Sequence, residues 1–297
     1  MKTGKTRKDA KSAQGKGRLA GSHWGDVLLR LFSNKIAVIS LAVFLIICLA
    51  CIFAPYLTKW DYTLIDASRV REGPSAVHIL GTDNLGRDVF SRLLYGGRVT
   101  LRIALTSTVL ATLFGGTIGL IAGYFGGKTD LIISPVLDTL ASIPVILLAL
   151  ISEVAMGWGK GHFMYAMAVA AVPQFARLAR ATVINIIECE YIESARALGV
   201  GHFKMITRHV LHNIAPTMIV RFAGGMAEAL LTCTVMGYLQ IGITPPTPEW
   251  GVIVHTAKGA MRTTPHAMII PCAVIAVCVI SINLFSDGLR DALDPRE

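Results

Sequence analysis

Charge is what this chain is short of. Charged residues make up 16% of its 297 positions, against about 25% in an ordinary soluble domain. The shortage is uneven, because long uncharged runs alternate with short polar stretches. That alternation excludes a single soluble core and fits a chain that crosses a bilayer several times. Reactive constellations are missing too. No Ser/His/Asp set, Cys/His pair or paired carboxylate stands in a context that would make it a catalyst, so nothing points to an enzyme. Gly123-Tyr-Phe-Gly-Gly-Lys-Thr129 comes near a phosphate-binding loop, but Ala122 stands where that pattern begins with glycine, and an apolar helix precedes it where a strand is needed. It reads as a tight turn, and no cofactor or nucleotide is expected to bind the chain directly. Cys48 and Cys51 have the spacing of a redox pair, yet they lie in an apolar helix, where free cysteine behaves as a small hydrophobe. His202, His209 and His212 cluster without an acidic or cysteine ligand at metal-site spacing, and no metal is expected.

The net charge of +9 is concentrated. Lys2, Lys5, Arg7, Lys8, Lys11, Lys16, Arg18, Arg30 and Lys35 all precede the first apolar run. This is the signature of a cytosolic tail obeying the positive-inside rule, and a nucleic-acid partner is not expected.

Six apolar stretches follow, giving an all-α integral membrane protein. The first span is expected at 36–56 and an extracytoplasmic segment at 57–100. The second span, at 101–125, carries Gly115, Gly119 and Gly123 on one helical face, a spacing that lets two helix backbones approach closely. The third is expected at 131–156 with Pro135 and Pro144 inside it, and the fourth at 162–181 with Arg177 and Arg180 near its end. The fifth is placed at 216–239 with Arg221 and Glu228, and the sixth at 267–285. This divides the chain into a basic tail (1–35), a first helix (36–56), an outer segment (57–100), a five-helix core (101–287) and a C-terminal tail (288–297). With both termini inside, nearly twice as many Lys and Arg fall on the cytosolic side as on the outer side. Asp138 and Glu228 lie inside spans, where a charge costs about 2.5–3.5 kcal/mol on insertion scales. They read either as lining of a pathway or as satisfied pairs between helices, for instance with Arg221. Pro245 to Trp250 reads as a stiff outer loop with an interfacial tryptophan.

One charged piece interrupts the cytosolic side. Glu190 and Glu193 favour a helix N-terminus, Arg196 follows Glu193 at i+3, and Tyr191, Ala195 and Leu198 form an apolar stripe. Gly199 and Gly201 then let the chain turn. A helix of about two turns is marginal alone, so it must dock on something. Glu193-Ser194-Ala195-x3-Gly199 resembles the EAA-x3-G cytosolic loop of ABC importer permeases. The resemblance implies a coupling helix over 190–206 that sits in a groove of the ATPase subunit, with Glu190, Tyr191, Glu193, Ser194, Ala195, Arg196, Ala197, Leu198 and Gly199 at the contact. The family continues with I-x-L-P where this chain has His209-Val-Leu-His212.

The resemblance extends along the chain. Gly81-Thr-Asp-Asn-Leu-Gly-Arg-Asp88, with Ser91 and Arg92 after it, is similar to the external signature of dipeptide, oligopeptide and nickel importer permeases; rich in turn formers, it reads as a rigid external cap or as a contact for a substrate-binding protein. The residues concerned are Gly81, Thr82, Asp83, Gly86, Arg87, Asp88, Ser91 and Arg92. Tyr95-Gly-Gly-Arg98, Ala122-Gly-Tyr-Phe-Gly-Gly127, Pro245 to Gly251 and Asp287 to Pro295 resemble its other signatures and indicate the C-type member of a two-permease pair. The family carries an acid just before SFLGLG at the end of its fifth span. Here Glu228 stands earlier and the stretch reads Leu231 to Gly242. The resemblance implies a type I importer permease with six transmembrane helices, N-in and C-in. It further implies a homologous B-type permease as heterodimer partner, two ABC ATPase subunits that hydrolyse ATP, an extracytoplasmic solute-binding protein and a place in the bacterial cytoplasmic membrane. Di- and oligopeptides are the expected cargo. A nickel or metal chelate and antimicrobial peptides are the alternatives within the family, and an ATP-independent channel is the alternative outside it.

Overall fold

A computed structural model describes residues 23–157 and 161–293. The basic tail up to residue 22 and the last four residues lie outside the described residues. Of the described residues 77% are helical, and the only strand-like pairing among them is one isolated bridge, Thr82 with Asp88.

Helix α1 (His23–Ser33) is amphipathic and precedes the bilayer. Its Val27 and Leu31 are buried against Leu289, Ala292 and Leu293. Sequence reading had folded this helix into the basic tail. Asn34 then breaks the chain and restarts it, its Oδ1 accepting the backbone N–H groups of Ile36 (3.1 Å) and Ala37 (3.2 Å), which is an N-cap. The span that follows, α2 (Lys35–Ile52), is uncharged after its first residue. It stops short of the expected position 56 because the chain breaks at Phe53 and restarts as a single turn, Ala54–Leu57, with Pro55 in its first positions.

Helix α3 (Val89–Phe125) has 37 residues and is about 55 Å long, well beyond the ~30 Å hydrocarbon core. The second span therefore begins three turns earlier than 101. Asp88 sets that start, its Oδ2 accepting the N–H of Ser91 at 2.7 Å, and the added turns belong to the segment read as an outer loop. The tight turn expected after α3 is Gly126 and Gly127, both at positive φ (58° and 48°).

The third span is not one helix. It is α4 (Gly127–Ala141) and α5 (Val145–Met156), bent by 102° at the break. Pro144 accounts for this: it lacks an N–H, and its ring drives Ile143 out of helical conformation. Helix α6 (Phe163–Ile187) runs six residues past the expected end at 181, so Arg177 and Arg180 lie well inside it. They are tolerated there because each finds a carboxylate, Asp138 at 3.0 Å and Asp130 at 2.5 Å. After the short α7 (Glu190–Ala197), one π-helical turn (Met205–Val210) leads into α8 (Leu211–Tyr238), which places Pro216 in its second turn where the expected start was. Helix α9 (Trp250–Lys258) lies in the outer loop. The last helix, α10 (His266–Leu293), continues past 285, so most of the expected C-terminal tail is its final turns. Among the described residues five helices are long and apolar enough to cross a membrane, and six spans result when the bent α4–α5 pair is counted as one.

Two packing centres hold the bundle. On the outer side, Trp250 is fully buried among Leu93, Leu94, Ile253, Cys51 and Cys278, and its Nε1 donates to the carbonyl of Leu93 at 2.9 Å. Along the bilayer, α3 lies backbone to backbone on α6. A methyl group added at Gly119 would come within 2.1 Å of the Ala176 carbonyl oxygen, one at Gly115 within 2.7 Å of the Val172 oxygen, and one at Gly123 within 2.9 Å of the Arg180 oxygen. The glycine spacing read from sequence is thus a helix–helix seam. Gly116, one residue off the seam, would meet only the flexible end of Met218 at 3.3 Å. Gly119→Leu is therefore expected to abolish recovery of folded protein, since overpacking costs about 1–3 kcal/mol or more where backbone cannot move. Gly116→Ala is expected to purify as the parent does. Size-exclusion profiles of the two variants in mild detergent decide it, and a monodisperse Gly119→Leu peak would show that the seam is loose.

Candidate functional site

At the inner end of the bundle, α7 is held by one buried anchor. Ile192 is 0% exposed, packed among Tyr124, Met205, Val210 and Ile214, with Ala195 half-buried at the edge. The expected stripe of Tyr191, Ala195 and Leu198 is corrected accordingly. The helix unwinds at Leu198, so the seventh residue leaves the docked face and Leu198 is 86% exposed, as Phe203 is at 81%. Tyr191 is tied sideways instead, its hydroxyl accepting from Asn213 Nδ2 at 3.0 Å. Gly199, at φ +79°, closes the helix. Its N–H donates to the Arg196 carbonyl (3.0 Å) and that of Val200 to the Ala195 carbonyl (3.2 Å), a Schellman motif that only a left-handed residue completes. Glu193 and Arg196 do not pair. Glu190, Glu193, Ser194, Arg196, Ala197 and Leu198 all face outward. Beside them His202 Nδ1 lies 2.9 Å from the Tyr124 hydroxyl, packed edge-on to that ring. Among the described residues no three His, Cys, Asp or Glu side chains converge as a metal site would require.

Halfway along the bundle, the two intramembrane acids both find arginines. Asp138 Oδ1 accepts from Arg177 at 3.0 Å. Glu228 receives both terminal nitrogens of Arg221, at 3.2 and 3.0 Å, and Arg221 also donates to Gln174 Oε1. Gln174 stands one turn before Arg177 on α6, so the two pairs lie one helical turn apart in a polar track across α4, α6 and α8. The Arg221 guanidinium lies over the Phe175 ring, 5.2 Å from its centre. Asp138 and Glu228 have side chains 66% and 57% exposed on the outside of this single chain. Charges in that position are not left facing lipid tails, so this face abuts water or another protein.

At the outer end, the Gly81–Arg92 motif is a knot whose side chains bind one another. Asp83 Oδ2 accepts from Arg87 Nε at 2.8 Å and lies 3.6 Å from Arg92 Nε, while its Oδ1 accepts from the N–H groups of Leu85 and Arg87. Asp88 divides its oxygens between the α3 cap and His78 Nδ1 (2.9 Å). The Thr82 hydroxyl donates to the Arg69 carbonyl and accepts from the Glu72 N–H. Thr82, Asp83, Arg87, Asp88, Ser91 and Arg92 are all buried. Gly81 and Gly86 take φ of +74° and +76°, and a side chain at Gly86 would strike the Asp66 carbonyl. The knot is a cap locking the segment onto the start of α3, and its named side chains present no outward face.

Sequence reading missed Glu249, taking it as part of a stiff outer loop. It is fully buried and N-caps α9, its Oε2 accepting the Val252 N–H at 3.0 Å and its Oε1 meeting the Thr100 hydroxyl at 2.9 Å. Burial raises its carboxyl from the usual 4.5 to about 7, against the opposing pull of those donors. A proton on it is readily accommodated. Thr100 can turn its hydroxyl to the Gly96 carbonyl (3.1 Å) and accept from the acid. The available signal was an acid immediately before an apolar Trp-Gly-Val run, the position of an N-cap.

The fold and these sites define a multi-pass membrane permease built on a bent-span helical bundle. The chain belongs to the family of binding-protein-dependent transport system inner membrane components, whose pattern its residues 115–297 match. Its residues 22–74 match the N-terminal transmembrane domain of oligopeptide transport permease C. It is 37% identical to a dipeptide transport system permease protein of Alkalihalophilus pseudofirmus, over 93% of this chain and 91% of that one. It is 38% identical to a glutathione transport system permease protein of Pectobacterium atrosepticum (92% and 91%) and 31% identical to the oligopeptide transport system permease protein of Bacillus subtilis (93% and 90%). Among solved structures, the inward-facing MetNI methionine ABC transporter matches with a TM-score of 0.57 at 19% identity, over 68% of this chain and 96% of that one, a likeness of fold. The protein is thus the permease component of an ABC importer, with the type I fold, in the inner membrane.

Glu249 gives this site a testable pH dependence. Its folded-state pKa, about 7, lies above the unfolded 4.5, so the folded state holds an extra proton between those values. The stability this contributes is present at pH 4.5 and is lost as pH rises to 7. Thermal unfolding in detergent is expected to show the parent's midpoint falling by several degrees relative to Glu249→Gln between pH 5 and pH 8. Parallel curves for the two proteins would refute it.

Proposed function

We propose that this chain forms one half of the translocation pore of an ATP-driven importer of di- and oligopeptides, paired with a homologous B-type permease. The observation that carries this reading is the polar track of Asp138, Arg177, Gln174, Arg221 and Glu228, exposed at mid-membrane on one face. A second permease closing over that face would turn it into a water-filled path, with Asp138 and Glu228 as its lining. The outward-facing residues of α7, Glu190 to Gly199, would seat in an ABC ATPase, one on each permease, which hydrolyses ATP; this chain holds no nucleotide or other cofactor itself. A solute-binding protein would deliver cargo at the outer face. ATPase closure would move α7 and shift the bundle between inward- and outward-open packings. Peptide cargo is supported by relatives described as dipeptide, oligopeptide and glutathione permeases, which favours it over a nickel chelate. An ATP-independent channel would have no use for the exposed helix.

Uptake of a labelled oligopeptide and of labelled nickel, in a strain lacking the gene and in one complemented, tests the cargo. Loss and restoration of peptide uptake alone is expected; loss of nickel uptake alone would replace peptide by metal chelate. For coupling, Gly199→Asp is the informative variant. Space around Gly199 is open, and aspartate tolerates the left-handed conformation better than most residues. The variant is expected to insert and assemble while uptake falls about tenfold or more, within the usual 1–3 kcal/mol of coupling between sites. Normal uptake by assembled Gly199→Asp complexes would remove α7 from the mechanism.

A further inference from the structure

Most arginines inside or capping the bundle have acids. Arg87 and Arg92 share Asp83, Arg177 has Asp138, Arg180 has Asp130, and Arg221 has Glu228. Arg98 and Arg102 are different. They stand one turn apart on the same face of α3, both exposed, and neither forms an ion pair among the described residues. Both line one cleft of about 490 Å³ at the outer end of the bundle, between α3, the start of α6 and the outer loop, and none of its lining residues is acidic. The Arg98 guanidinium lies over the Tyr95 ring, 5.9 Å from its centre, and Tyr62 packs on Tyr95 at 4.8 Å. Thr247 and Pro248 close the other side.

Two like charges at i and i+4 repel one another, and the repulsion is relieved when an anion sits between them. Guanidinium forks match a carboxylate in two-point fashion, and the paired tyrosines supply a flat apolar wall beside them. The cleft is large enough for a short peptide terminus. We infer that Arg98 and Arg102 form an outer receiving site for the C-terminal carboxylate of the incoming peptide, where cargo is held after leaving the binding protein and before it enters the pore. The inference rests on the peptide reading above. The same oxyanion chemistry could be supplied by the phosphate of an outer-leaflet lipid, and the test separates the two.

The assembled importer, with its binding protein, is reconstituted in liposomes and given a tripeptide either as the free acid or as its C-terminal amide. The same binding protein serves every permease variant, so differences among variants belong to the permease. For Arg98→Gln/Arg102→Gln, the KM for the free acid is expected to rise about tenfold while the amide is carried as by the parent, because two-point carboxylate recognition is lost. Arg98→Lys/Arg102→Lys, which keeps charge without the fork, is expected to recover part of the preference. Unchanged kinetics for both peptides in the glutamine variant would overturn the receiving site and leave the peptide reading standing. An equal loss for acid and amide, with disappearance of a co-purifying phospholipid in native mass spectra, would assign the arginines to lipid instead. Failure of the parent itself to carry either peptide would overturn the peptide reading, and this inference with it.

Discussion

The contact on which the rest depends is the bare-backbone seam between α3 and α6. Gly115, Gly119 and Gly123 bring α3 against Val172, Ala176 and Arg180 with no side chain between. In lipid no hydrophobic force draws helices together, and close van der Waals packing has to do it. The seam fixes α3, and α3 organises both ends of the molecule. Its outer turns carry the Asp88 cap, the Trp250 cluster and the arginine cleft, and its inner end supplies Tyr124 to the pocket that grips Ile192. One rigid rod of about 55 Å thus spans from the cytosolic helix to the outer mouth.

Burial and exposure of charge divide the molecule into parts that hold and parts that act. The outer knot spends its charges on itself, since buried Asp83 bonds Arg87 and lies beside Arg92 while buried Asp88 bonds His78 and caps α3, which makes a stiff cap of a segment rich in glycine and turn formers. The mid-membrane pairs are the reverse. Arg177 with Asp138 and Arg221 with Glu228 satisfy each other yet remain open on one face. Intramembrane ion pairs that are satisfied locally but left uncovered make sense only where that face meets water or a partner. Glu249 belongs to neither group. It is buried, which raises its carboxyl to about 7 in spite of the donors around it, and it fastens α9 to α3 through Thr100.

Much of this was legible in the sequence where a residue type has one physical use. The glycine ladder declared a helix seam, Gly199 a helix end, and the uncharged runs the spans. Legibility failed where a local rule was overruled from a distance. Arg177 and Arg180 look like the end of a span until Asp138 and Asp130, some forty to fifty residues away, are seen to neutralise them. Pro135 and Pro144 look alike in sequence, yet α4 absorbs the first while the second breaks the span by 102°. Leu198 continues an apolar stripe on paper, but the helix has already unwound there. The first three turns of α3 were hidden because they fall in the stretch assigned to the extracytoplasmic segment, and there Cβ atoms at Gly96 and Gly97 would strike Ile253 and Cys51. Those glycines make room for the Trp250 cluster.

The same geometry bears on how a movement could cross the membrane. The anchor of α7 is narrow: one isoleucine in a pocket whose walls come from α3 (Tyr124), the π-helical turn (Met205, Val210) and α8 (Ile214). A π turn widens the helix and leaves its hydrogen bonding easier to rearrange than that of a regular helix. Displacing α7 would therefore strain α8 at its weakest point first, while α3, seamed to α6, would resist. The two helices are joined again at the outer end, where Glu249 meets Thr100 of α3 and lies against Gly237 of α8, whose added Cβ would fall 1.9 Å from Oε2. A shift of α8 relative to α3 has to be taken up at that contact. The buried carboxyl at the outer mouth and the buried isoleucine at the inner face thus touch the two ends of α8, which carries Arg221 and Glu228 between them.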